Sequence, residues 1–178
     1  NAIRWPPASR TEIASGFNRS TMLSPLHGAI MASAVVANQG RLIEPSIVDQ
    51  ITDRSGQIIY KGQAKTLNRA LSPETSRAMR SLMKETVLTG TCRKTFRGIA
   101  RSPILSRLNI GGKSGSINSR STERRRFDWF VGYAEEKQGN RKIVLSIVVA
   151  HQNYIGTKAN MYARKAIEKY FEDAGPKI

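Results

Sequence analysis

The chain has 178 residues, of which 39% are hydrophobic and 24% are charged, a composition that is ordinary for one soluble globular domain. No run approaches the roughly 18 apolar residues that a membrane-spanning helix needs. Lys and Arg number 29 against 13 Asp and Glu, so the net charge is +16. The single cysteine, Cys92, excludes an internal disulfide, and no group of residues has the spacing of metal ligands. We therefore expect no metal and no cofactor.

The positive charge is concentrated in one part of the chain. Between Arg93 and Arg126 there are ten Lys or Arg residues and one acid, Glu123. Such a surface attracts polyanions, but a solvated basic face is an equal alternative because charge alone selects no partner. The chain has neither an aromatic-interleaved basic strand nor a helix-turn-helix pattern, so the sequence disfavours nucleic acid as the partner.

The N-terminus has no start methionine and no apolar signal region. We therefore expect residues 1–178 to be a single, partial domain cut from a longer protein, whose targeting or anchoring segment would lie upstream. Trp5-Pro6-Pro7 favours an extended segment over residues 1–13.

Two serine–proline pairs predict helix starts, because serine is a good N-cap and proline suits the first helical position. The first helix is predicted over residues 24–38; it is apolar nearly all round and should be buried. The second is predicted over residues 72–88, with an apolar face that recurs every fourth residue. This face consists of Ala78, Met79, Leu82, Met83, Thr86 and Val87.

Strand patterns follow each helix. Residues 45–52 and 57–60 flank a polar turn and predict a hairpin, whereas the basic residues 92–108 predict a loop. Residues 128–134 and 142–150 are rich in β-branched and aromatic residues and predict two strands. A C-terminal helix is then predicted from one apolar face. That face consists of Tyr162, Ala163, Ala166, Ile167, Tyr170 and Phe171.

The order of these elements predicts an α+β fold. Helices come first, then an antiparallel sheet of three strands, and then a helix that can cover one face. The first of the three strands would contain Lys113, and a polar turn over residues 119–126 would join it to the second. Three strands are few for this length, so partner strands are expected elsewhere in the parent protein.

A glycine-rich stretch, Gly111-Gly-Lys-Ser-Gly115, is the strongest candidate site. A phosphate-binding loop would need glycine five residues before its Gly-Lys-Ser and a helix after it. Position 107 is Arg and a strand is predicted to follow, so the sequence argues against nucleotide binding. A surface lysine on a strand edge is the remaining structural alternative.

The blocks around this stretch resemble the end of a penicillin-binding protein transpeptidase domain, in the family's order and over roughly residues 14–171. The blocks are Leu23-Ser-Pro-Leu-His-Gly-Ala with Ala37-Asn-Gln-Gly40, Glu44-Pro45, Val87-Leu-Thr-Gly-Thr91, Gly112-Lys-Ser-Gly-Ser116 and Asp128-Trp-Phe-Val-Gly-Tyr-Ala134. The resemblance implies an incomplete β-lactamase/transpeptidase-like fold in which the lysine strand forms one wall of the active site.

The resemblance implies a role for each residue of this wall. Lys113 supplies a fixed cation for the substrate carboxylate and for proton traffic, and the Ser114 hydroxyl bonds the same carboxylate. Gly115 lets the acyl group approach the strand. The backbone N–H of Ser116 points at the developing oxyanion.

Two other family motifs have only imitations here. The nucleophile belongs to a Ser-x-x-Lys and is followed by a Ser-x-Asn, both of which precede the Ser24 block in the family. Ser81-Leu-Met-Lys84 and Ser116-Ile-Asn118 fit these patterns, but chance yields about one match to each in a chain of this composition. We therefore expect both to be decoys and the chain alone to be inactive.

The resemblance further implies that the parent protein crosslinks peptidoglycan stem peptides ending in D-Ala-D-Ala and binds β-lactams. It would act in the bacterial cell envelope, outside the cytoplasm, anchored in the cytoplasmic membrane, with this fragment itself soluble. The alternatives are a charge-driven binding module, a carboxypeptidase or β-lactamase-type relative, and a family member that has lost catalysis. An uncovered sheet edge would permit self-association.

Overall fold

The computed structural model describes residues 24–36, 39–118, 125–152 and 154–172. The predicted segment 1–13 and most of the predicted turn 119–126 lie outside these ranges. The elements in chain order are α1 (Pro25–Val36), β1 (Arg41–Ile43), β2 (Gln50–Thr52), β3 (Ile58–Lys61), β4 (Thr66–Arg69), α2 (Pro73–Leu88), β5 (Leu108–Asn118), β6 (Arg126–Glu136), β7 (Lys142–His151) and α3 (Ala159–Glu172).

The central element is an antiparallel sheet in the order β5-β6-β7, so the predicted three-stranded sheet and the α+β class are confirmed. Ser114 pairs with Phe130, and Phe130 pairs with Ile147. Because side chains alternate along a strand, Phe130 and Tyr133 lie on opposite faces of β6. β5 is at the edge of this sheet.

Helices cover both faces. On the first face, α3 packs against β6 and β7 around the fully buried ring of Phe130. On the second face, α1 and α2 pack around the buried ring of Tyr133, with Val35, Val36 and Met83. The sheet is therefore the middle layer between two helical layers, as expected when both faces of a sheet are apolar.

The expectation that α1 is buried all round is wrong. Ala32, Ala34 and Val36 are buried, but the side chains of Leu26 and Met31 are 55% and 45% exposed. One side of the helix contacts the sheet closely at Gly28, where an added methyl group would crowd Val131 and Ser146. The opposite side has no covering element among the described residues, and its apolar residues therefore face solvent.

The start of α2 is as predicted, since the Ser72 hydroxyl accepts a hydrogen bond from the Thr75 backbone N–H at 3.1 Å. The predicted apolar face is only partly correct. Met83 and Val87 are buried, whereas Met79 and Leu82 are 40% and 63% exposed. The third buried position is polar.

That polar position is Ser76, which is 3% exposed and donates its hydroxyl to the carbonyl of Val35 at 2.5 Å. A buried hydroxyl needs such a partner. The bond therefore docks α2 on α1 and helps to explain why the buried face of α2 includes Ser76 and leaves Leu82 exposed.

The C-terminal helix differs from the prediction in the same way. Its buried residues recur strictly every fourth position: Ala159, Ala163, Ile167 and Phe171. Tyr162, Ala166 and Tyr170 are exposed. The buried face of α3 is narrower than the sequence suggested because the helix contacts the sheet along a single row.

Two further strand pairs lie outside the central sheet. The predicted hairpin is confirmed as β2 paired with β3, although β2 covers only Gln50–Thr52 of the predicted residues 45–52. The pairing of β1 with β4 was not predicted, since each strand has only three or four residues.

The basic residues 92–107 form turns and two short 3-10 segments, much as the predicted loop implies. Buried Cys92, Phe96 and Leu105 fix this segment to the core. Across the described ranges, no helix is both long and apolar enough to cross a membrane.

Candidate functional site

The whole glycine-rich stretch lies on β5, which continues as a strand to Asn118. A phosphate-binding loop would instead end at a helix N-terminus directly after the lysine. The structure therefore excludes that geometry and presents Lys113 on an extended edge strand, as the sequence predicts.

Glycine occurs at the positions of this stretch for different structural reasons. A methyl group on Gly111 would overlap the ring of Tyr133, and one on Gly112 would overlap the ring of Phe130. These two glycines are needed for packing against the neighbouring strand. At Gly115 the added atom would meet only the Cβ of Trp129, at 3.8 Å, so packing does not require a glycine there.

The four predicted site residues, Lys113 to Ser116, line one cavity of about 420 Å³. Across it lie Thr91 and the start of α3, with Lys158 and Asn160. The hydroxyls of Thr91 and Ser114 are 2.7 Å apart, which joins the end of the α2 block to β5. A groove with hydroxyl and ammonium groups is suited to an anionic ligand.

The Lys113 side chain is not neutralised within the described residues. Its ammonium donates to the carbonyl of Ser114 at 2.5 Å, and none of the ion pairs there includes it. The ammonium is exposed and keeps donor capacity, because a lysine has three N–H bonds. Lys113 can therefore meet a carboxylate that enters the cavity.

Beneath Ser116 lies a buried polar cluster that the sequence did not predict. Asp128 is 3% exposed and pairs across the strands with Ser116, whose hydroxyl donates to Oδ1 at 2.5 Å. The other carboxylate oxygen lies 3.1 Å from Nε2 of His151. Arg126 adds an ion pair at 3.5 Å, too long for a good hydrogen bond.

The cluster keeps Asp128 ionised. Burial by itself raises the pKa of the Asp128 carboxyl. The hydrogen bond from Ser116 and the charge of Arg126 lower it, and with the His151 ring they hold the pKa below its usual value. Asp128 is consequently a charged acceptor at neutral pH.

His151, the last residue of β7, is a buried residue. His151 is 7% exposed, and its ring is fixed by Asp128 on one side and by the backbone N–H of Gly156 on the other. Sequence reasoning missed it because its partner is 23 positions away, on another strand. The position of Asp128 at the start of an apolar strand was the only signal.

The two sequences that imitate family motifs lie in different parts of the structure. Ser81 and Lys84 are exposed on α2 and line a separate cavity with Arg77, Asn109 and Tyr133. That cavity shares no lining residue with the cavity at Lys113. Asn118 ends β5, two positions beyond Ser116 on the same strand.

Comparison with known proteins identifies the class. Residues 3–169 match the family model described as penicillin binding protein transpeptidase domain, and the chain therefore belongs to that family. Penicillin-binding protein 1A from Neisseria gonorrhoeae is 30% identical over 106 residues, which are 57% of this chain. The match spans only 12% of that relative's length.

Solved structures show the same fold. Penicillin-binding protein A from M. tuberculosis, in an imipenem acyl-enzyme complex, superposes with a TM-score of 0.68 at 20% identity, covering 93% of this chain and 34% of that one. Penicillin-binding protein 2B from Streptococcus pneumoniae gives 0.67 at 18% identity, covering 98% and 28%. The predicted transpeptidase-like fold is confirmed.

Proposed function

We propose that this chain forms one wall of the acyl-transfer site of a penicillin-binding D,D-transpeptidase. The observation that supports it best is the cavity beside β5, where the ammonium of Lys113 and the hydroxyl of Ser114 lie without an internal carboxylate partner in the described ranges. An ammonium and a hydroxyl group side by side on an edge strand are suited to the terminal carboxylate of a peptide.

The substrate proposed is a peptidoglycan stem peptide that ends in D-Ala-D-Ala, with β-lactams as its covalent mimics. Lys113 and Ser114 receive the terminal carboxylate, and the open side of Gly115 lets the peptide lie against the strand. The backbone N–H of Ser116 is assigned to the oxyanion that forms when the carbonyl is attacked.

The nucleophile is assigned to the parent protein, outside this sequence. Ser81 lies beside Lys84 on α2, but the two line a cavity that does not include Lys113 or Ser114. A serine there could not attack a carbonyl whose carboxylate is held on β5. The chain by itself is expected to form no acyl-enzyme.

Fluorescent penicillin labelling of the complete transpeptidase domain that contains this chain tests the role of Lys113. We expect Lys113→Ala to reduce the labelling rate by about a hundredfold, because removing a charge-assisted contact of this kind costs roughly 2–3 kcal/mol. Lys94→Ala, which removes an exposed lysine that does not line the cavity, is the control. Undiminished labelling of Lys113→Ala would exclude the carboxylate-binding role.

The 178-residue chain alone should remain unmodified when it is incubated with a β-lactam and weighed by intact mass spectrometry. A stable adduct that disappears in Ser81→Ala would contradict the assignment of the nucleophile.

The parent protein is proposed to act in the cell envelope, outside the cytoplasm, as a membrane-anchored enzyme. Product analysis would separate transpeptidation from carboxypeptidation.

A further inference from the structure

Each strand of the central sheet contributes one residue to the polar cluster beneath the groove. These residues are Ser116 on β5, Asp128 on β6 and His151 on β7. The Asp128 carboxylate accepts from Ser116 on one oxygen and is bonded to His151 through the other. A buried carboxylate with both oxygens bonded holds its neighbours in fixed positions, because an unpaired buried charge is costly.

The two ring nitrogens of His151 have different partners. Nδ1 accepts the backbone N–H of Gly156 at 3.3 Å, so in the neutral ring the proton is on Nε2, which donates to Asp128. Gly156 belongs to the connection between β7 and α3. This connection leads directly to Lys158 and Asn160, which line the cavity opposite β5.

A continuous chain of bonds therefore runs from one rim of the groove to the other. It begins at the Ser116 hydroxyl, passes through the Asp128 carboxylate and the His151 ring, and ends at the Gly156 backbone. The order differs from that of a hydrolytic triad, in which the histidine contacts the serine and removes its proton. Here the Asp128 carboxylate bonds both Ser116 and His151 and lies between them, so the arrangement favours positioning over activation of a nucleophile.

We propose that Asp128 and His151 are positioning residues that set the distance between the two rims of the groove, Ser116 on β5 and Lys158–Asn160 before and in α3. The inference rests on the proposed function in taking this cavity as the groove for a carboxylate-terminated peptide. It adds two buried residues that act on the groove through Ser116 and Gly156, and of these Asp128 also borders the cavity.

Three substitutions test the hydrogen bonds of this network separately. His151→Gln keeps a donor near the Nε2 position and loses the acceptor for Gly156, whereas His151→Asn keeps an acceptor near Nδ1 and loses the donor to Asp128. Asp128→Asn keeps the shape of the side chain and removes its charge. His27→Gln is the control, because His27 is exposed on α1 and hydrogen-bonds with Ser24.

The first measurement needs no ligand. Amide hydrogen exchange in the 178-residue chain, followed by NMR, should rise about tenfold at Gly156 and Lys158 in His151→Gln, with Ser116 unchanged. Asp128→Asn should accelerate exchange at both rims, and His151→Asn mainly at Ser116. A uniform rise over the whole sheet would overturn the proposal, because the pair would then affect only the stability of the fold. No change at Gly156 in His151→Gln would also overturn it, because the position of Gly156 would then not depend on His151.

The second measurement is titration with N-acetyl-D-alanyl-D-alanine, followed by the amide shifts of Lys113 and Ser116. Asp128→Asn should weaken binding about tenfold while leaving the thermal midpoint within a few degrees of the wild-type value. If the wild-type chain does not bind, the groove assignment fails, but the exchange experiment still decides the positioning role. Equal affinity in wild type and Asp128→Asn would overturn that role.

Discussion

At the scale of single residues, the stretch from Gly111 to Ser116 combines glycines that packing requires with the residues proposed to bind the ligand. Gly111 and Gly112 are glycines because aromatic rings of β6 occupy the space of their side chains. Gly115, three positions further along the same strand, has open space. Glycine therefore occurs at different positions of this motif for different physical reasons, and substitution by alanine can distinguish those reasons.

Gly112→Ala is expected to lower the free energy of unfolding by about 1–3 kcal/mol, because the added methyl group overlaps the Phe130 ring in a packed core. Gly115→Ala should change it by no more than about 0.5 kcal/mol, since nothing crowds that position. Urea unfolding measures both. The same Gly115→Ala should weaken penicillin labelling in the complete domain, and a large loss of stability in Gly115→Ala would contradict the open geometry.

The Asp128 cluster predicts a dependence on pH. The pKa of Asp128 is lowered in the folded state, so its charge contributes stability above the unfolded value, about 3.9. That contribution is lost as the pH falls below this value through the folded pKa. The stability difference between wild type and Asp128→Asn should therefore be largest near neutral pH and shrink below about pH 4.

Urea unfolding of the two proteins between pH 7 and pH 2 measures this difference. The exposed Asp49→Asn variant is the control. A difference that stays constant with pH would mean that the charge of Asp128 does not stabilise the fold.

At the scale of elements, the basic segment formed by residues 92–107 is held in position by a contact with α3. One guanidinium nitrogen of Arg164 donates to the carbonyls of Thr95 and Arg97, at 2.7 and 3.0 Å, and its Nε donates to Glu168 at 3.0 Å. A lysine could not satisfy all three acceptors in this geometry. The segment is thus tied to the helix although it lacks regular structure of its own.

Arg164→Ala should therefore loosen residues 92–98 without unfolding the domain. Limited digestion with trypsin is expected to cleave after Arg93, Lys94 and Arg97 several times faster in the variant, because proteolysis follows local opening. Lys165→Ala, at an exposed neighbouring position, is the control. Equal cleavage rates would show that Cys92 and Phe96 alone hold the segment.

At the scale of the whole molecule, the charge of +16 is not evenly neutralised. Arg93, Lys94, Arg97 and Arg101 are exposed, and none of them forms an ion pair within the described part of the chain. Clustered cations release bound counterions when they meet a polyanion, which makes such binding sensitive to salt.

Changing these four residues to Gln should reduce heparin affinity at low salt more than changing Arg41, Arg54, Lys61 and Lys142 to Gln, which removes the same charge from other exposed positions. Affinity measured against salt concentration gives the comparison. Equal losses would indicate that only the net charge matters and that the segment is a solvated basic face.

Self-association through the free edge of β5 remains a prediction, which sedimentation would test.

Features governed by near neighbours in the chain were predictable. The cap of α2, the β2–β3 hairpin, the strands β6 and β7 and the position of Lys113 on a strand all depend on residues a few positions apart. The resemblance to the family had a separate source, namely sequence blocks such as Gly112-Lys-Ser-Gly-Ser116 and Asp128-Trp-Phe-Val-Gly-Tyr-Ala134.

Contacts between distant residues were decided only by the tertiary structure. The bond of Thr91 to Ser114 and that of Asp128 to His151 each join residues 23 positions apart, and no local pattern encodes which side chains meet. The exposure of Leu26 and Leu82 has the same origin, since a hydrophobic residue is buried only where another element covers it. Sequence alone thus determined that Lys113 lies on a strand, and the packing of the three strands against α3 decided which side chains line the cavity beside it.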